Sequence, residues 1–223
     1  MPDLNHFHEL VKKGNLEAVR AALAEDPALL NQVNESGQNA FLLAKYYRQE
    51  PVAEDLLSRG PQLDIFGLCV AGETERVLAQ LNQHPELLNT HSRDGWTPLH
   101  LAAFFGRPEL AQALLDRGSE IEARSANPSR NTPLHAAAAG GYTEVVHLLL
   151  ERGADANARQ EGGWTALHSA AQAGSRAMVE ELAAHGADVN AHADNHQSPL
   201  DLALTKGQQD MVTLLEAVGA KLR

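Results

Sequence analysis

A chain of 223 residues with 43% apolar residues, 21% charged residues and a formal charge of −11 has the composition of a folded acidic protein. Acids and bases are spread evenly along it with no basic segment, which argues against duplex nucleic acid or an anionic membrane as the main partner, because both need clustered Lys and Arg to neutralise phosphates. The single cysteine, Cys69, cannot form an internal disulfide, residues Met1 to His6 lack the basic and apolar regions of a secretory signal, and no apolar run has the length of a membrane span, so the chain reads as soluble and cytoplasmic.

From the N-terminus, Leu4 to Lys13 and Leu16 to Ala24 read as a pair of helices, and Leu63 to Ala71 with Thr74 to Gln83 repeat the pattern. An offset of 58 residues relates the two stretches: Gly14 aligns with Gly72, Pro27 with Pro85, Leu29-Leu30-Asn31 with Leu87-Leu88-Asn89 and Gly60 with Gly118. A duplicated pair of repeats accounts for this, with Pro27 and Pro85 ending the helices before them. The second unit opens on Gly37-Gln38-Asn39-Ala40-Phe41, and its cap and helix start are expected to be weak.

Downstream a stronger regularity takes over. Thr97-Pro98-Leu99-His100 returns as Thr132-Pro133-Leu134-His135, as Thr165-Ala166-Leu167-His168 and as Ser198-Pro199-Leu200-Asp201, at steps of 35, 33 and 33 residues. A fixed period of this size marks a tandem array. Thr97 can cap the helix that follows, Pro98 suits the first helical position because the amide it lacks would have had no helical partner, and Leu99, Leu101, Ala102 and Ala103 form an apolar face of mostly small residues. His100 has two ring nitrogens to satisfy, and the cap Thr and the neighbouring repeat's backbone are the nearest partners. A second helical run, Pro108 to Arg117, follows Gly106 and stops at Gly118. Later copies leave this run through Gly153-Ala154-Asp155-Ala156-Asn157-Ala158 and Gly186-Ala187-Asp188-Val189-Asn190-Ala191, extended turns in which Asn157 and Asn190 are expected to hydrogen-bond the turn.

On the phrases Asp94-Gly95-Trp96-Thr97-Pro98-Leu99-His100-Leu101-Ala102-Ala103 and Gly186-Ala187-Asp188-Val189-Asn190-Ala191, the chain resembles an ankyrin-repeat protein. The resemblance implies an all-α solenoid of stacked helix-turn-helix units with extended β-turn fingers, one domain over residues 1–223. Seven units fit, at about 3–35, 36–64, 65–93, 94–128, 129–161, 162–194 and 195–223, the first and last being caps. A single unit cannot bury its apolar face, so stacking supplies the core. The turn Ser125-Ala126-Asn127-Pro128-Ser129-Arg130 is two residues longer than its counterparts and is expected to project.

No phosphate-binding loop, nucleophile elbow, zinc-protease motif or cysteine pair occurs, so no catalytic residue, metal ligand or cofactor is assigned. His100, His135 and His168 hold equivalent positions. Stacked helices lie roughly 8–10 Å apart and zinc needs nitrogens at about 2 Å, so one ion cannot be shared along that row and a structural role is expected. The pairs His6 and His8, and His192 and His196, read as surface clusters, and Cys69 as a buried small hydrophobe.

The resemblance implies binding on the concave side, at the residues before the cap Thr and before the mid-repeat glycine. These are Tyr46 and Tyr47 in the second unit, Arg93, Asp94, Trp96, Phe104 and Phe105 in the fourth, and Trp164 and Gln172 in the sixth. Six of the ten aromatic residues fall here, as in binding hot spots, although aromatic side chains at these places also serve packing between turns in such arrays. The expected role is a non-catalytic, monomeric protein-interaction module whose partner is a modestly basic or apolar protein, for example an enzyme that it inhibits or positions. Glu35, Asp94 and Glu161 would set its charge preference. Two alternatives remain: a self-assembling scaffold, and a metal or small-molecule regulator using His192, Asp194 and His196.

Overall fold

The computed structural model describes residues 3–221; Met1, Pro2 and the end of the seventh sequence unit, Leu222 and Arg223, lie outside the described residues. Among the described residues there are fourteen α-helices and no strand. Their contacts fall into two compact units, Met1–Ala71 and Gly72–Arg223.

The Met1–Ala71 unit holds α1 (Leu4–Lys12), α2 (Leu16–Glu25), α3 (Ala40–Tyr46), α4 (Glu50–Ser58) and α5 (Ile65–Ala71), with a 3₁₀ turn at Pro27–Leu30. Each short helix is amphipathic, and α3 packs between α1 and α5 while α2 meets α4. Phe7, Val11, Val19, Leu29, Phe41, Leu56 and Leu68 form the buried core. On the outer side Asp55 receives Arg20 Nε at 2.7 Å and Arg59 Nε at 2.8 Å. Burial alone would raise the Asp55 pKa, but the bonds from Arg59 and Arg20 outweigh it and hold the carboxyl below its usual range.

The weak helix start expected in the second unit is not what forms. Asn39 is buried, and its side-chain oxygen accepts the Leu42 amide at 3.0 Å. Asn caps as well as Thr does because its side-chain oxygen reaches the same amide of the first turn; what is lost is the reciprocal bond, since the Leu42 side chain has no polar atom to return. Phe7 and His8 likewise differ from an exposed cluster. Both are buried, and burial, then the nearby Lys12 charge, lowers the His8 pKa.

The Gly72–Arg223 unit continues with α6 (Thr74–Gln83), a 3₁₀ turn at Pro85–Asn89, α7 (Pro98–Phe104), α8 (Pro108–Asp116), α9 (Pro133–Gly140), α10 (Thr143–Glu151), α11 (Ala166–Ala173), α12 (Arg176–Ala184), α13 (Pro199–Thr205) and α14 (Gln209–Ala217). Two layers result: α7, α9, α11 and α13 pack in sequence, and α6, α8, α10, α12 and α14 pack beside them. The first layer is short and alanine-rich, so its members approach closely; Leu99, Ala102, Leu134, Ala137, Leu167 and Ala171 are buried there. Leu110, Leu114, Val146, Leu149, Val179 and Leu182 fill the space beneath the second layer.

Three histidines lock this stack. The Thr97 hydroxyl donates to His100 Nδ1 at 2.7 Å, and His100 Nε2 donates to the Asn131 carbonyl of the next repeat at 2.9 Å. His135 repeats the pattern from Thr132 (2.8 Å) to the Trp164 carbonyl (3.1 Å), and His168 from Thr165 (2.9 Å) to the Gln197 carbonyl (3.1 Å). Because a carbonyl only accepts, Nε2 carries the proton and Nδ1 is the acceptor, which requires a neutral ring. In the last copy Asp201 replaces the histidine, and its carboxylate accepts the Ser198 hydroxyl at 2.7 Å and amide at 2.8 Å.

A second ladder runs along the turns after α6, α8, α10 and α12. The side-chain oxygens of Asn89, Glu122, Asn157 and Asn190 accept the amides of Glu120, Asp155, Asp188 and Lys221 at 3.0, 2.8, 2.7 and 2.8 Å. The expectation for Asn157 and Asn190 therefore holds, and each also donates to a carbonyl one repeat on, that of Gly186 and that of Gly219.

Burial pushes the pKa of His100 and of His135 down to about 4. Between that value and the ordinary 6.5, the unfolded chain takes up protons that the folded chain refuses, so stability falls as pH falls through this window. Urea unfolding at about pH 7 and pH 5 should show a loss of roughly 1–2 kcal/mol per histidine, and His135→Gln should flatten the slope. A second expected outcome concerns Arg48, which holds φ 56° at the place that Gly106 fills in the fourth sequence unit. Arg48→Gly should raise stability by about 1 kcal/mol in the same assay, because a side chain in the left-handed region costs about that much.

Candidate functional site

In the Met1–Ala71 unit the candidate positions lie at the end of α3. Tyr46 is half-buried and Tyr47 is 51% exposed, with the Lys12 ammonium 5.6 Å from the Tyr47 ring centre. The ammonium also pairs with Glu9 at 2.8 Å, so the tyrosine face is held in place by a charge that is itself fixed.

In the Gly72–Arg223 unit the aromatic positions form a continuous stack along α7. The Trp96 ring meets His100 edge-on at 5.5 Å and Phe104 at 5.6 Å, and Phe104 meets Phe105 edge-on at 5.1 Å. Trp96 and Phe104 are half-buried and present part of their faces to solvent, whereas Phe105 is only 7% exposed and belongs to the core. Adjacent residues at a helix end point about 100° apart, and here Phe105 is the one turned into the core. Trp164 repeats the Trp96 arrangement two units on, its ring 5.5 Å from His168 and half-exposed.

The polar candidates divide. Arg93 is exposed. Asp94 is half-buried in the turn: its carboxylate accepts the Ser92 hydroxyl and its carbonyl accepts Asn127 Nδ2 at 3.1 Å. Gln172 is exposed at the end of α11, and its carbonyl accepts Lys206 Nζ at 3.1 Å. Among the described residues no three His, Cys, Asp or Glu side chains are grouped to hold a metal ion; Asp194, between His192 and His196 in sequence, pairs with Arg159 at 3.3 Å. Cys69 is buried, and burial followed by the Asp64 charge pushes its thiol pKa up, away from reactivity.

Two residues of this surface escape a reading of cap and pre-glycine positions alone. Tyr142 is 41% exposed, and its ring lies over Gly106 and Gly140, where any Cβ would collide with it. The signal was Gly140, two residues before it in sequence, which leaves room for a ring that an alanine there would exclude, while Gly141 supplies the left-handed turn, φ 88°. Arg130 is the other. It closes the longer turn in a left-handed conformation, φ 49°, with its side chain exposed.

That longer turn does not stand free. Ser125 is buried, Asn127 Oδ1 accepts the Ser129 hydroxyl at 2.7 Å, and the Ala126 amide donates to the Gly95 carbonyl at 2.8 Å. The extra residues are used in tying it to the preceding turn. Charge is unevenly placed as well. The turns at residues 90–96, 123–131, 156–164 and 189–197 carry Arg93, Arg124, Arg130 and Arg159 against Asp94, Glu161 and Asp194, although the chain as a whole is strongly acidic. Arg124 donates to the carbonyls of Arg159 (2.6 Å) and Arg130 (3.2 Å). Arg93 and Arg130 are in no ion pair among the described residues.

The opposite layer carries the acids. There His185 Nε2 reaches Glu151 at 3.2 Å and its Nδ1 reaches the Glu181 carbonyl at 3.0 Å, and these two bonds raise its pKa. Arg152, just after α10, pairs with Asp116 of α8 at 2.6 Å. No described helix is long and apolar enough to cross a membrane.

The family model of ankyrin repeats (3 copies) matches residues 68–160 and 153–223, and the chain belongs to the ankyrin-repeat family. Among curated proteins it is 39% identical over 126 residues to Ankyrin repeat and SAM domain-containing protein 6 of Rattus norvegicus, covering 56% of this chain and 11% of that protein. The protein of that name from Mus musculus is 38% identical over the same length. The human NAD-capped RNA hydrolase NUDT12 is 39% identical over 61 residues, 27% of this chain and 13% of the hydrolase. The match thus spans about a tenth of the length of these curated relatives.

Exposure separates rings that pack from rings that are presented. Phe105→Ala should cost roughly 3–5 kcal/mol, while Tyr47→Ala should cost under about 1 kcal/mol. Urea unfolding of the two variants side by side checks this, and equal losses would contradict the assignment.

Proposed function

We infer that this ankyrin-repeat chain is a protein-interaction module. We propose that it is a non-catalytic, monomeric cytoplasmic binder that holds a partner protein against the concave side of its repeats, the first-helix layer and the turn tips, rather than nucleic acid or a membrane. The observation that supports the reading is the partly exposed row of Trp96, Phe104 and Trp164, extended by Tyr142, on one layer of the Gly72–Arg223 unit. Large rings that are anchored at one edge and open at the other lose little rotamer entropy on binding and bury much area, as binding hot spots do. Tyr46 and Tyr47 supply a second presented pair in the Met1–Ala71 unit. Whether the partner is an enzyme that is inhibited or one that is positioned depends on the partner's own site.

Trp96→Ala with Phe104→Ser tests the reading because neither residue is fully buried. Affinity capture from lysate of the source organism, with wild type and this variant in parallel, should retain a protein on wild type and lose it from a variant that still melts cooperatively. Equal retention by both would move binding off this layer.

A further inference from the structure

We propose that the first-helix layer of the Gly72–Arg223 unit receives one acidic amphipathic helix of the partner, laid over α9, with apolar residues between the Trp96 and Phe104 rings and Trp164 and carboxylates toward Arg93 and Arg130. This rests on the protein-binding reading above and adds the occupant's shape and charge.

Width comes first. α9 packs between α7 and α11, and neighbouring helices lie about 8–10 Å apart, so the rings at α7 and the indole before α11 stand about 16–20 Å apart. At the matching positions α9 has no ring. Asn131 takes the Trp place and is buried, and Ala139, exposed beside Gly140, takes the Phe104 place. An α-helix is about 10–12 Å across, which fills such a gap and touches both walls; a single extended strand would reach only one. The Asn131 side-chain oxygen is buried without a hydrogen-bond donor.

The turn backbone gives the second argument. Ser92, Ser125, Gln160 and Ala193 donate across their own turns to the carbonyls of Trp96, Asn131, Trp164 and Gln197 at 2.8, 2.8, 2.9 and 2.9 Å. Ala126, Glu161 and Asp194 donate to the preceding turn at Gly95, Ser129 and Gly162, at 2.8, 2.9 and 3.0 Å. With those amides committed, an added strand finds no ladder to join, whereas a helix satisfies its own backbone and needs only side-chain contact. Charge decides the sign: Arg93 and Arg130 stand exposed in adjacent turns at the edge of this gap, whereas Asp94 accepts from Ser92, Asp194 pairs with Arg159 and Glu161 lies in the turn of the far wall, so carboxylates on the near flank of an incoming helix complement the two arginines.

The chain has two tryptophans, both in the proposed walls, so their indole N–H resonances report on the site without a label. Selection of a random display library of peptides about 16 residues long, each then synthesised and titrated by NMR, tests the inference. Enriched peptides should carry an excess of Asp and Glu, space their apolar residues at i, i+3, i+4 and i+7, and shift both indole resonances. They should lose about tenfold or more in affinity on Arg93→Glu with Arg130→Glu, two exposed changes that leave the core untouched, and on Trp96→Ala. Peptides that shift both indoles but are basic, or carry proline through their core, overturn the acidic helix and leave the protein-binding layer standing. Peptides that leave both indoles unmoved, or a library that yields none, overturn both.

Discussion

The bond from a buried imidazole to the next repeat's backbone is the constraint on which the Gly72–Arg223 unit depends. His100, His135 and His168 each join a helix cap to the carbonyl that precedes the following cap. Each ring therefore does two things at once. It fixes the start of its own helix, and it sets the distance to the next turn. Of the carbonyls accepted in this way, one belongs to Trp164, so the residue that presents an indole to solvent is positioned by the histidine of the repeat before it. A surface held at its base by such bonds loses little freedom when it binds, and preorganisation of this kind lowers the cost of association.

Much of this was legible in the sequence because the repeated letters are the ones with local duties. Thr, Pro and His at fixed offsets announce a cap, a helix start and a two-nitrogen bridge, and Asn157 and Asn190 announce the turn ladder. The replacement of His by Asp201 was legible too, once the role is understood as accepting two bonds at the third helical position. What was not legible is what depends on neighbours distant in sequence. Asn39 caps its helix although no Thr stands there, and His8 is buried although His6 and Glu9 are exposed. Phe104 and Phe105 are adjacent and chemically identical, yet one faces water and one the core, a distinction made by helix phase and not by composition.

Strain marks where the chain departs from its own repeat. Arg130 and His196 take left-handed turn positions, φ 49° and 65°, that Gly95 fills in the fourth sequence unit. A glycine would sit there more easily, so each side chain is retained against a local cost of about 1 kcal/mol. For Arg130 the surrounding bonds make the cost bearable. Asn127 accepts from Ser129 on both its amide and its hydroxyl, and the Arg130 amide closes back on the Asn127 carbonyl, so the turn is determined from within. An observed outlier in an over-determined turn points to a use for its side chain, and Arg130 is an exposed cation beside the aromatic layer.

That placement alters what the net charge means. A value of −11 suggests a basic partner only if the surface is uniform, and it is not. In the Gly72–Arg223 unit, Glu109, Glu144, Glu151, Glu180 and Glu181 lie on α8, α10 and α12, while the turns carry four arginines and three acids. A partner at the first layer therefore meets Arg93, Arg124, Arg130 and Arg159 together with Asp94, Glu161 and Asp194 at close range, and the helix acids only across the body of the repeats. Screening over about 8 Å at physiological salt removes most of the distant contribution. At that range the charges of the turns outweigh those of the outer layer.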